Sequence, residues 1–300
     1  MERFLSRSIL LITLIVLAAF SYRALSVGAA ELPTIDVGLP DDGVFGLGGH
    51  YLVDKGLDRK NGFVMKPRWS GVAEVERLLA IGAIPVGLST SESALRANIR
   101  GIHIRLIQPF MTPHNSILVR KQSPYKNLFD LKGKPFAVPP EVTSAYNNFD
   151  YFMRKQGVQI EKYFQLKKLG AAGISAVLEE MNRQLNTKIK LLGWLGALDS
   201  WVDKNPNLIP VLRKAWQEAI AGFQEDESHF RKHAKKLFGL EKPEELEIGW
   251  PRTRQFILPP DFPWPDKANM ETEKRYLKEG VELGIFPSEG LAVVDKLFVP

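Results

Sequence analysis

From residue 34 onward, short apolar runs alternate with amphipathic stretches of about ten residues, and this alternation limits the chain to few folds. Ile35, Val37 and Leu39 alternate with polar or small residues, the period of a strand. Further strand-like runs cover 63–69, 84–88 and 103–110, and the stretches to Lys55, over 72–82 and over 91–99 have helical spacing. Strands interleaved with helices of that length predict βαβ units and a parallel sheet. A second series follows: a strand over 117–120, a short helix over 126–131 and a strand over 136–138. After it come a helix over 143–155, a strand over 164–169, a helix over 174–185 and an extended run over 188–198. Two such series predict two α/β lobes.

Beyond Asn205 the pattern turns helical. Leu208, Val211, Leu212, Ala215, Trp216, Ala219 and Phe223 form one stripe at i, i+3, i+4, i+7 spacing, so they are expected to pack as core. Pro243, Pro251, Pro259, Pro260, Pro263 and Pro265 make 242–266 read as an ordered surface strap, and 276–284 and 291–298 read as closing helices. The expected organisation is a leader over 1–30, a discontinuous first lobe over 31–115 and 199–300, and a second lobe over 116–198.

The leader has a basic start at Arg3 and Arg7, an apolar run from Ile9 to Phe20 broken by Thr13, and small residues Val27 to Ala30. This is the pattern of a cleavable secretory signal. Its apolar run of 12 residues falls short of the roughly 20 a spanning helix needs. The chain has no cysteine, which rules out lipid attachment through a leader cysteine, disulfides, thiolate metal sites and a cysteine nucleophile. The net charge of +6, of which the leader holds +2, is spread along the chain without a basic tract, so nothing points to nucleic acid.

Three stretches carry a resemblance to a family: IDVGLP from Ile35 with Lys55-Gly-Leu after it, WSGVAEVERLLAIGAIPVGL from Trp69, and SPYKNLFDLKGKPFAVP from Ser123. Over about 34–225 the chain resembles the nitrate/sulfonate/taurine branch of ABC-transporter periplasmic substrate-binding proteins, which includes receptors for thiamine-pyrimidine precursors. The resemblance implies a type II-like periplasmic binding protein fold, two hinged lobes with a cleft between them. It also implies an extracytoplasmic, non-lipidated monomer that hands a small solute to a permease in the inner membrane, with no cofactor and no catalysis. After Glu180 the chain departs from the family, running into MNRQLNTKIKLLGW where relatives carry a further strand and cleft loop, so a deletion in the second lobe is expected.

In a two-lobed α/β receptor the ligand lies outside the carboxyl ends of the strands. That selects Asp42, Gly43 and Phe45 after the first strand, Trp69, Ser70 and Gly71 after the second, and Ser89, Thr90 and Ser91 after the third. From the second lobe it selects Thr143 and Ser144. Hydroxyls and free N–H groups at helix starts can hold an anion, although Ser and Thr there also serve as plain caps. Trp69 could stack on a flat ligand or pack in the core. Asp42 would favour an amine or zwitterion, or cap a turn.

No metal site is expected. His103 and His114 lie on separate elements, and His229 and His233, at helical i, i+4 spacing, have basic neighbours that make a solvated face the simpler reading. Gly46-Leu-Gly-Gly lacks the Lys-Ser/Thr of a phosphate loop and reads as close helix packing. Two other classes stay open, an exported enzyme on the same fold and a sensory module or non-binding relic.

Overall fold

Strand β1 (Thr34–Pro40) is followed by helix α1 (Gly43–Asp54), the single turn α2 (Leu57–Lys60), strand β2 (Val64–Ser70) and helix α3 (Val72–Ala80). Strand β3 (Val86–Thr90), helix α4 (Ser91–Ile99) and strand β4 (Ile104–Met111) complete the first series. These elements come from a computed structural model that describes residues 31–41, 43–112, 122–141, 143–168 and 191–300. The second series comprises a 3₁₀ turn (Leu128–Leu131), β5 (Pro135–Val138), α5 (Ser144–Lys155), α6 (Ile160–Tyr163) and β6 (Gln165–Lys168). Then come β7 (Gly193–Leu198), α7 (Asp199–Lys204), α8 (Leu208–Glu225), α9 (Glu227–Phe238), α10 (Pro243–Arg254) and α11 (Lys267–Glu282).

Five strands form one sheet in the order β2-β1-β3-β7-β4, and β5 pairs with β6 in a second sheet. β1 runs parallel to β2 and β3, and β7 is antiparallel to β3 and β4. β7 therefore runs against the other four strands of its sheet, and the architecture is the α/β, mostly parallel arrangement the alternation predicts. Helices cover both faces, which explains why every residue of β3 is buried instead of every second one. Gly193–Leu198, the end of the second series in sequence, lies inside the five-stranded sheet.

Tail segments cover the outer edge of β4. Leu106 N–H donates to Leu297, Val299 N–H donates back to Leu106, and Thr112 N–H donates to Phe256. The Arg213 guanidinium donates to the carbonyls of Ile107, Val299 and Pro300 and ties that tail to α8. A free edge would template pairing with another chain, so this covering also protects the sheet.

The core follows the expected stripes. On α8, Leu212, Ala215, Trp216, Ala219 and Phe223 are all buried. The Gly46-Leu-Gly-Gly run packs as expected: a Cβ on Gly46 would lie 2.6 Å from the Pro40 carbonyl oxygen, so only glycine lets α1 lie this close to β1.

The proline-rich segment corrects the reading of 242–266 as a strap. Its first half is helix α10, with Pro243 in the first turn, where no N–H is needed, and Pro251 inside the helix. Counting prolines misled because their positions within the helix matter more than their number. The closing helix α11 also begins earlier than its apolar pattern suggests, at Lys267, where Asp266 caps it by accepting from Asn269 N–H.

The leader, Asp42, the strand expected over 117–120, the helix over 174–185 and the expected deletion point after Glu180 lie outside the described residues. Thr34–Pro300 forms one compact unit. Among the described residues no helix is long and apolar enough to cross a membrane.

Candidate functional site

β1, β2 and β3 run parallel and side by side, so the loops after them open at one end of the sheet. The N-termini of α1, α3 and α4 lie at that end. Thr90 caps α4, its side chain accepting from Ser93 N–H at 3.1 Å. Thr143 caps α5 in the same way, accepting from Tyr146 N–H and donating its own proton to Pro140.

Helices α4 and α5 pack together, and Glu92 joins them. Glu92 stands in the first turn of α4 and is 1% exposed. Its carboxyl accepts from Ser144 Oγ at 2.9 Å, from Ser91 Oγ at 3.3 Å and from the Tyr276 hydroxyl at 2.9 Å. Tyr276 comes from α11 and is fully buried, which with the nearby Glu92 carboxyl holds its phenol well above the ordinary tyrosine value. Asn148 Oδ1 lies 2.8 Å from the same phenol oxygen, and Asn148 Nδ2 has no partner. Turned end for end, that amide would donate to the phenol, whose single proton then goes to Glu92.

A second carboxyl sits at the start of α4. Glu76, on α3, lies beside the Ser93 side chain and the Thr90 backbone and side chain, polar neighbours that favour its charged form. Burial of the carboxyl, with Glu92 close by, pushes it up to about 7 despite those neighbours. The positions that would receive an anion at two helix starts thus hold the protein's own carboxyl groups. Arg96 is the nearby cation. It donates to Asn147 Oδ1 at 3.1 Å and lies over the Phe286 ring, and its Nε is buried without a partner.

Ser91 and Ser144 meet at Glu92, with Thr90 and Thr143 as the adjacent caps. Ser89, 2% exposed, donates to the Thr90 carbonyl. The other candidates have different neighbours. Trp69 stacks on His50 with ring centroids 3.9 Å apart and planes 6° apart. Phe45 meets Phe110 edge to face at 5.5 Å. Gly43 has φ 56°, the left-handed conformation that suits a turn into α1. Ser70 closes β2 and Gly71 caps α3 through its backbone.

Sequence reasoning missed Glu76, Glu92, Arg96 and Tyr276. Glu92 was detectable, since it directly follows the candidate Ser91 in the first turn of a helix. Tyr276 was not, because 184 residues separate it from Glu92.

The face of α9 carrying His229 and His233 needs a correction. It is not solvated: His229 is 3% exposed, and its side chain and that of His233 pack on α1 against Asp54 and Tyr51. His50 completes the cluster, its ring 4.7 Å from that of His233. Burial, reinforced by His233, pushes His229 down to about 4, so its imidazole is neutral at pH 7.

Residues 53–179 match the family model described as NMT1/THI5 like. The alkanesulfonate-binding protein SsuA of Xanthomonas axonopodis pv. citri, solved with MOPS bound, superposes with a TM-score of 0.66 at 16% identity, covering 90% of this chain and 99% of that one. The periplasmic nitrate-binding protein NrtA of Synechocystis superposes at 0.54 with 13% identity, covering 89% and 86%. A Candida albicans protein described as having the generic periplasmic binding protein fold gives 0.60 with 13% identity, covering 89% and 96%. No curated protein matches the chain. The fold is that of the periplasmic binding proteins. Two of these neighbours are described as a sulfonate-binding and a nitrate-binding protein, the solute classes of the branch that the sequence resembles.

Proposed function

We propose that this chain is the exported solute-binding component of an ABC importer and performs no chemistry on its solute. Its solute is a small molecule with an anionic end and an amine or other hydrogen-bond-donating end, and a membrane permease takes it from the closed receptor. The observation that carries this reading is the convergence of two helix starts from different sheets, Thr90–Ser91 and Thr143–Ser144, on Glu92. The helix ends and Arg96 favour negative charge, and Glu76 and Glu92 favour a donor. A zwitterion such as an aminosulfonate matches both, whereas nitrate offers no donor.

A second reading has one observation in its favour. Ser91, Ser144 and Tyr276 already satisfy Glu92, as they would in a relic or sensory module that keeps its cleft shut with its own side chain.

Thermal melts against taurine, alkanesulfonates, nitrate, bicarbonate and pyrimidines separate the two. A solute at about 100 times its dissociation constant adds roughly 2.7 kcal/mol of stability, and the receptor reading expects this for the aminosulfonate without turnover. Melts unmoved by the whole panel would leave the relic reading standing.

A further inference from the structure

We propose that Asp54, His229 and His233 bind a divalent transition ion, with zinc the best fit, through Asp54 Oδ2, His229 Nδ1 and His233 Nε2, with a solvent molecule as fourth ligand. This site shares no residue with the Glu92 constellation and does not depend on the transport reading.

The three side chains offer one ligand atom each, and these atoms lie within 4.8 Å of one another. Asp54 Oδ2 is 2.9 Å from His233 Nε2 and 3.8 Å from His229 Nδ1. Ligands held at about 2.0–2.1 Å around a tetrahedral ion lie roughly 3.3 Å from each other. The two distances bracket that spacing, so shifts of about half an ångström would seat the ion. The histidines are four residues apart on α9 and share its face, and α1, ending at Asp54, supplies the carboxylate across the helix pair. Two imidazoles and one carboxylate form a nitrogen/oxygen set that suits zinc, cobalt, nickel or copper rather than calcium or magnesium.

A second observation points to an external ligand. His229 is 3% exposed, its Nε2 has no hydrogen-bond partner and its Nδ1 reaches Asp54 only at 3.8 Å. A buried imidazole with neither nitrogen hydrogen-bonded is costly, and an ion on Nδ1 would satisfy that nitrogen, with the ring proton on Nε2. Lys232 Nζ, 2.6 Å from Asp54 Oδ2, holds the place an ion would compete for, and with its side chain 62% exposed it can swing into solvent. Asp54 retains 27% side-chain exposure, which leaves a path in and room for a bound water.

The test is titration of the purified protein with Co²⁺, read by visible absorption and followed by displacement with Zn²⁺. The expected result is one equivalent bound, weakened by more than about 100-fold, beyond the usual effect of losing an outer-shell partner, in both Asp54→Asn and His233→Ala. Asp54 is partly exposed, so Asp54→Asn reports on ligation even if His233→Ala unfolds. His103→Ala, on a separate segment, is expected to bind like the parent. No saturable binding, binding unchanged in Asp54→Asn, or binding lost in folded His103→Ala would overturn the proposal.

Discussion

If Glu92 joins α4 to α5, then Glu92 and Ser144 must be energetically coupled, and a double-mutant cycle measures the coupling. Ser144 Oγ donates to Glu92 Oε2 at 2.9 Å, with the residues 8% and 1% exposed, so little water can replace the bond. A hydrogen bond to a charged group contributes about 1.5–3 kcal/mol, which is the expected cost of Ser144→Ala. Glu92→Ala removes that bond together with those from Ser91 and Tyr276, so three buried hydroxyls lose an acceptor. Its expected cost is about 3–5 kcal/mol, the range for breaking a buried charged network. In the double variant the Ser144 hydroxyl has no Glu92 to lose, so the coupling should be about 1.5–3 kcal/mol. Urea melts of the four proteins, followed by tryptophan fluorescence, give the number. Coupling below about 0.5 kcal/mol, the level at which independent sites add, would show that this carboxyl does not join the two helices.

Glu76 should make stability fall as pH rises. Its carboxyl is raised from 4.5 to about 7, so the folded chain holds a proton that the unfolded chain releases at lower pH. The associated stability is fully present below pH 4.5 and lost as pH climbs through 7, by at most about 3 kcal/mol and less where partial exposure screens it. Glu76→Gln should flatten that slope, and melts at pH 4 and pH 8 test this. Asp226 works in the opposite sense. Its hydrogen bond from Lys55, with those from Ser228 and the His229 N–H, holds its carboxyl below the usual range. Its contribution is therefore present above about pH 3.8 and lost as pH falls through the lower folded value, and removing the cap with Asp226→Ala should cost about 1 kcal/mol at neutral pH. Gly46→Ala would place a methyl 2.6 Å from the Pro40 carbonyl. Overpacking of about 1–3 kcal/mol outweighs the helix-propensity gain of up to about 1 kcal/mol, so the melting temperature should drop.

What the sequence revealed was local. The helix Ser91–Ile99 matches its apolar spacing to the residue, the α8 stripe is buried as its period requires, and the glycines of α1 pack against β1. What it hid depends on contacts between distant segments. The reversal of β7 within the sheet follows from pairing with strands about a hundred residues earlier, which periodicity does not encode. Pro243 and Pro251 looked like loop residues because proline content was read without helical position. At the site, the serines and threonines at helix starts were legible, and two of them do meet. Glu76 and Tyr276 were not, since Glu76 reaches α4 from α3 and Tyr276 reaches Glu92 from α11. The histidines of α9 carried a helical metal spacing, but Asp54 came to them from a helix about 180 residues away in sequence.

Calorimetric titration of the purified protein with taurine tests the central claim most directly. The account predicts saturable heat at one site per chain, diminished in Ser144→Ala. A flat titration with taurine, and with the alkanesulfonates beside it, would contradict it.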